Sequence, residues 1–269
     1  MRTKMTVKLC FLISLAMGIF AALLRTVALL VNYSPESGHF TKGDVGILPE
    51  LGWGICFAGL AAVALLCFMR RKGLAEYEEK GGLLYTTGAI LFVCAVFTAV
   101  FESLSAYLKG DPAAKTVNLI IAIGAFLSCI IIFVNTFFPI KGVDPMRAGI
   151  SIIPAIFIVL PGYRLYFDPS LVMNCPNKNV YIIASCLAAM MLIYECRFHT
   201  ELRNTAIYVT ACCGTLIFGL FCGIPNLIYA AANGGSSVVH SIATDVLSIG
   251  VAVFAAVQLV SVHRNRKKS

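Results

Sequence analysis

Residues 9–40 read LCFLISLAMGIFAALLRTVALLVNYSPESGHF. Leu9 to Val31 is an apolar run long enough to cross the hydrocarbon core of a bilayer, which takes about 20 residues, and one arginine, Arg25, lies inside it. A guanidinium in hydrocarbon is costly and has to face protein or water. The rest of the chain is therefore searched for the groups that answer Arg25.

Apolar residues make up 59% of the 269-residue chain and charged residues 13%. Mean hydropathy is +0.87. A soluble domain of this length needs far more polar surface, so the composition predicts a polytopic membrane protein. The net charge of +8 does not point to nucleic acid, because the basic residues sit in short loops and not in a patch interleaved with aromatics. Ten of the eleven cysteines fall within or beside apolar runs and read as small apolar residues. Cys175 alone falls in a loop. No CxxC pair and no Cys/His spacing suggests a metal, and no cofactor motif is present.

Eight spans are predicted, over residues 9–31, 51–69, 83–108, 116–138, 148–167, 180–198, 205–231 and 239–262. The fold class expected is all-α, one integral membrane domain over residues 1–269. Fifteen of the 21 Lys and Arg residues then fall at the termini and in the even-numbered loops, five (Lys42, Lys109, Lys115, Arg164, Lys178) on the other side, and Arg25 within a span. The positive-inside rule places both termini in the cytoplasm of a cell-membrane protein. The first span, preceded by MRTKMTVK, reads as a retained anchor, since its apolar run continues past Arg25 and the residues around Ala21 and Ala22 make a poor cleavage site. A parallel four-plus-four repeat gives a weak signal, Tyr85 and Thr87 aligning with Tyr208 and Thr210, which apolar spans also reach by chance.

Depth is more informative. With about 1.5 Å of rise per residue, Arg25, Glu102, Asn118, Arg164, Asn226 and Asp245 all fall in the outer third of the membrane. Several continue stripes of small or polar residues at helical spacing, such as Ser14, Gly18, Ala21, Arg25 in the first span and Cys212, Thr215, Gly219, Gly223, Asn226 in the seventh. Two readings compete. Arg25 paired with Glu102 or Asp245 could fix the helices against one another. Alternatively, Arg25, Glu102, Asn118, Asn226 and Asp245 could line an outward-facing site for a polar or zwitterionic solute. Arg164 is expected to snorkel to the headgroups, and Glu195 to form an interfacial ion pair near Arg197. Pro154, Pro161 and Gly162 in the fifth span, and Gly223 with Pro225 in the seventh, are expected to kink or break their helices.

Enzymatic motifs fail on their companions. Ser37-Gly38-His39 is similar to the central motif of membrane lipid phosphatases, but the phosphate clamp before it and the nucleophilic histidine after it are missing. His240 and Asp245 match the H-x4-D spacing of glycerolipid acyltransferases, on the side away from cytoplasmic acyl donors. No span holds a lysine, and there is no phosphate-binding glycine loop, HExxH or GxSxG. The leading expectation is a small permease or solute-binding membrane protein. A regulatory subunit acting through a partner protein and a lipid-modifying enzyme are the alternatives. Membrane lipids, a small polar solute and, on the regulatory reading, a partner subunit are the expected partners.

Overall fold

The computed structural model describes residues 2–35, 37–41, 46–74, 83–109, 112–138, 144–167, 175–197, 204–234 and 242–264. The elements are α1 (Arg2–Asn32), β1 (Tyr33–Ser34), β2 (His39–Phe40), α2 (Leu48–Met69), α3 (Arg71–Leu74), α4 (Leu83–Lys109), α5 (Pro112–Phe137), α6 (Pro145–Ile150), α7 (Ile153–Tyr166), α8 (Pro176–Cys196), α9 (Thr205–Ala232) and α10 (Ile242–Arg264). Eight helical segments are long and apolar enough to cross a membrane, and their limits fall within a few residues of those expected. The eighth begins at Ile242, because residues 239–241 lie outside the described residues.

The fifth span is two helices, α6 and α7, within Pro145–Tyr166. It breaks at Ser151 and Ile152, just before Pro154. Pro161 and Gly162 do not break α7, and Gly223 and Pro225 do not break α9. Asp144 caps α6 by accepting from the Arg147 backbone N–H at 3.0 Å. The Arg147 side chain then turns back onto the end of α5, where Nη1 donates to the Phe138 carbonyl at 2.5 Å and Nη2 to that of Val134 at 2.9 Å. Arg147 thus supplies a donor to the Phe138 carbonyl at the end of α5 and adds a second one to the Val134 carbonyl, which already accepts the Phe138 N–H at 2.9 Å.

The helices divide into a ring and a flank. Around the ring, α9 packs on α8, α8 on α7, α7 on α5, α5 on α4, α4 on α10, and α10 again on α9. The pair α1 and α2 lies against the other side of α9. Helix α9 is consequently the most enclosed span, with 83% of its most apolar window buried against 28–56% for the others. Small residues make this enclosure possible, because without them helix backbones cannot approach closely. A Cβ added at Gly219 would lie 2.9 Å from the Ser248 carbonyl oxygen, and one at Gly223 would lie 2.5 Å from Ile249 Cγ1 and 2.9 Å from the Asp245 carbonyl oxygen. Outward faces stay apolar, as with Phe20, Leu65, Phe101 and Phe133, which is what hydrocarbon requires of them.

At one end of the bundle the two short strands form an antiparallel hairpin, Tyr33 opposite Phe40 and Ser34 opposite His39. Its turn passes through Gly38 at φ +68°, a conformation that favours glycine. The Tyr33 ring meets Tyr229 of α9 edge-on, centroids 5.5 Å apart. Cys175, at the start of α8, is buried and donates from Sγ to the Gly38 carbonyl at 3.1 Å. The hairpin is thereby held over the ends of α8 and α9.

Substituting Gly223→Ala pushes a methyl group against the Ile249 side chain and the α10 backbone behind it, which cannot give way. Overpacking of this kind costs about 1–3 kcal/mol, so the midpoint of thermal unfolding in detergent is expected to fall by several degrees. Gly54→Ala, where an added Cβ meets nothing within 4 Å, should leave the midpoint unchanged.

Candidate functional site

Arg25 is 1% exposed. From α1 its guanidinium crosses to α9, where Nη1 donates to the carbonyls of Phe221 at 2.5 Å and Cys222 at 3.2 Å. The Phe221 carbonyl is a special acceptor. In a helix it would receive the N–H of the residue four positions on, and that residue is Pro225, which has none. The arginine supplies the missing donor, and α9 continues unbroken through its proline. The Phe221 ring lies under the guanidinium, 5.3 Å from Cζ to the centroid.

The other guanidinium nitrogen, Nη2, donates to Asn177 Oδ1 of α8 at 2.7 Å and to Asn226 Oδ1 of α9 at 2.9 Å. Asn226 passes the interaction on, its Nδ2 donating to Asp245 Oδ1 of α10 at 2.7 Å. An amide therefore bridges the positive and negative groups, its oxygen toward the arginine and its nitrogen toward the carboxylate. Asn177, Asn226 and Asp245 are all fully buried. The network joins α1, α8, α9 and α10 at one level. Beside it the hydroxyl of Tyr33, a hairpin residue, has its pKa pushed up to about 12, chiefly by burial and then by the Cys175 side chain. Other polar members of the expected stripes satisfy themselves locally. Ser14, Thr215 and Ser248 each donate to the carbonyl four residues back on their own helix, as does Thr26 outside those stripes.

Glu102 belongs to a different place. With Ser103 of α4 it lines a cavity of about 70 Å³ inside the ring, closed by Arg164 and Pro161 of α7, Tyr181 of α8, and Thr244 and Leu247 of α10. At roughly 10–15 Å³ per water on this measure, the space admits several waters or a small solute. Glu102 and Arg164 are each half-buried, and they bring opposite charges to one chamber. Asn118 is buried one turn from Ile121, another lining residue, and its Oδ1 has no hydrogen-bond partner among the described residues. The six polar residues expected at one depth thus split between a closed network (Arg25, Asn226, Asp245) and a chamber (Glu102 and Arg164, with Asn118 nearby).

Glu195 lies toward the other end of the ring. Its Oε1 accepts from the Tyr85 hydroxyl at 3.1 Å and from Gln258 Nε2 at 3.0 Å. The Arg197 guanidinium stands over the Tyr194 ring, 5.0 Å from its centroid. Three contributors were not picked out from the sequence. Asn177 holds Arg25, Tyr181 walls the chamber, and Lys178 is buried with Nζ donating to the Tyr166 carbonyl at 3.2 Å, closing the end of α7. The available signal was Pro176, which as an early helical residue starts α8 ahead of its apolar run and draws Asn177 and Lys178 into its first turn. His240 lies outside the described residues. Among the described residues no three His, Cys, Asp or Glu gather as metal ligands.

Comparison with known protein families, with curated proteins and with solved structures finds no match, so the functional argument rests on this geometry.

Removing the arginine should expose how much the network carries. Arg25→Met leaves the Phe221 carbonyl and two amide oxygens without donors, at about 1–3 kcal/mol for each buried group left unsatisfied. Chemical unfolding in mixed micelles should show a large loss of stability. Adding Pro225→Ala restores the N–H for the Phe221 carbonyl and should recover about 1 kcal/mol in the Arg25→Met background. No recovery would mean that the proline and the arginine are not coupled.

Proposed function

We propose that this chain is a small permease or solute-binding protein of the cell membrane whose solute is a small zwitterion held between Glu102 and Arg164. The observation that carries this reading is the presence of a carboxylate and a guanidinium on the walls of one chamber inside the helix ring, which Ser103 and Thr244 also line. Ionisable groups inside a membrane domain are costly and tend to mark solute paths. Here their opposite signs match a molecule carrying both charges.

Arg25, first in line from the sequence to hold the anionic end, has its guanidinium committed to α8 and α9. That role passes to Arg164. Glu102 takes the cationic end, and Asn118 offers a hydrogen bond from the second turn of α5. Arg25, Asn226 and Asp245 then act as the rigid back of the site, fixing α10, which carries Thr244, against α9. The distribution of basic residues supports both termini in the cytoplasm, and on that reading the chamber end of the bundle faces outward.

The test is thermal stability of purified protein with glycine, alanine and glycine betaine, against acetate and choline as ions of single sign. A ligand at a hundredfold its dissociation constant stabilises by about 2.7 kcal/mol, a readable upward shift. One or more zwitterions should give it and the single-sign ions should not. Glu102→Gln and Arg164→Gln should each abolish it, while Gly54→Ala retains it. A response that survives both substitutions would place the solute elsewhere.

A further inference from the structure

The ring of α4, α5, α7, α8, α9 and α10 encloses two further spaces in line with the Glu102–Arg164 chamber. The middle one is small, about 10 Å³, and is lined by Ile158, Ala184, Ser185, Ala188, Thr215 and Val251 among others. Tyr181 and Leu247 line both it and the outer chamber, so these two side chains, from facing helices, form the partition. The lower space, about 30 Å³, is polar again, with Tyr85, Asn135, Ser151, Glu195 and Cys196 on its walls. It begins one turn beyond the middle space on three helices at once. Ile158 is followed by Pro154 on α7, Ala188 by Leu192 on α8, and Val251 by Phe254 on α10. One helical turn is about 5.4 Å.

We infer that these three spaces are a single passage interrupted by two side-chain partitions, Tyr181 with Leu247 on the outer side and Leu192 with Phe254 on the inner side, and that Glu195 receives the solute's cationic end at the inner chamber. The middle space holds at most about one water, and beside Ile158 and Val251 its walls are small or hydroxylic, Ala184, Ser185, Ala188 and Thr215, between two polar chambers. The partitions are single side chains on helix faces, which a change of rotamer or a small helix shift can open. The identity of the solute rests on the zwitterion reading above, whereas the existence of the passage does not.

The test therefore uses a probe that needs no binding site. The full chain is reconstituted in phosphatidylcholine liposomes and treated with the membrane-impermeant cation 2-(trimethylammonium)ethyl methanethiosulfonate, and labelling is read at each cysteine by peptide mass spectrometry. Ala188→Cys places a thiol in the middle space, and Ser37→Cys, on the exposed hairpin, reports reagent access to that side. With the partition intact, the position-188 thiol should label slowly from the hairpin side. A closed gate that opens rarely holds its open state at about 0.1–10%, so Tyr181→Ala or Leu247→Ala should speed labelling at least about tenfold, and Tyr181→Phe should not.

Two substitutions on opposite walls guard against one of them failing to fold, since either alone decides the point if it keeps the wild-type unfolding midpoint. A third readout needs no variant. Native Cys196, in the lower chamber, should label when reagent is supplied to the side opposite the hairpin. Unchanged rates at position 188 with full labelling at position 37 would overturn the passage, as would a Cys196 inert from both sides. Loss of the zwitterion response with these labelling results intact would overturn the solute reading alone.

Discussion

One donor missing from α9 organises the interior. Pro225 leaves the Phe221 carbonyl without its helical partner in the most enclosed span among the described residues. A buried unsatisfied carbonyl and a buried guanidinium are each costly alone. Together they cancel much of each other's cost, and because the donor comes from α1 the repair also ties two helices together. The Nη2 hydrogens reach Asn177 and, through Asn226, Asp245, so α8 and α10 are tied at the same height. Four of the eight spans meet in this network. The glycines at 219 and 223 let α10 approach closely enough for Asp245 to join it.

Fixing one wall leaves the opposite side of the ring free to be a chamber. Helices α4 and α7, which carry Glu102 and Arg164, take no part in the arginine network. They close the ring through α5, and α4 meets α10 directly. A closed hydrogen-bonded cluster and an open, charged cavity therefore stand side by side, with Thr244 on α10 in the chamber and Asp245, its neighbour, in the cluster. This adjacency couples the site to its frame through a single residue step on one helix.

Much of this was legible before any coordinates. The eight spans followed from hydropathy, because hydrocarbon thickness fixes how long an apolar helix must be. Arg25, Asn226 and Asp245 were picked out as one level because helix rise converts sequence distance to depth. Less was legible about who faces whom. Glu102 shares the depth of Arg25 yet lies on another face of the bundle. Arg164, read as a snorkelling surface charge, lines the chamber. Asn177 fell outside the apolar run that defined its span, so its place beside Arg25 had no hydropathic signal. The kinks expected at Pro161 and Pro225 did not become breaks, and for Pro225 the reason is a side chain two hundred residues away in sequence.

The sequence by itself determined the class and the number of helices long and apolar enough to cross a membrane, since both depend on chain length and apolar content along a single dimension. Only the tertiary structure decided the rotation of each helix about its axis and the order of helices around the ring. Those depend on which small residues allow two backbones to touch, and that choice separated the polar residues of one level into a frame and a chamber.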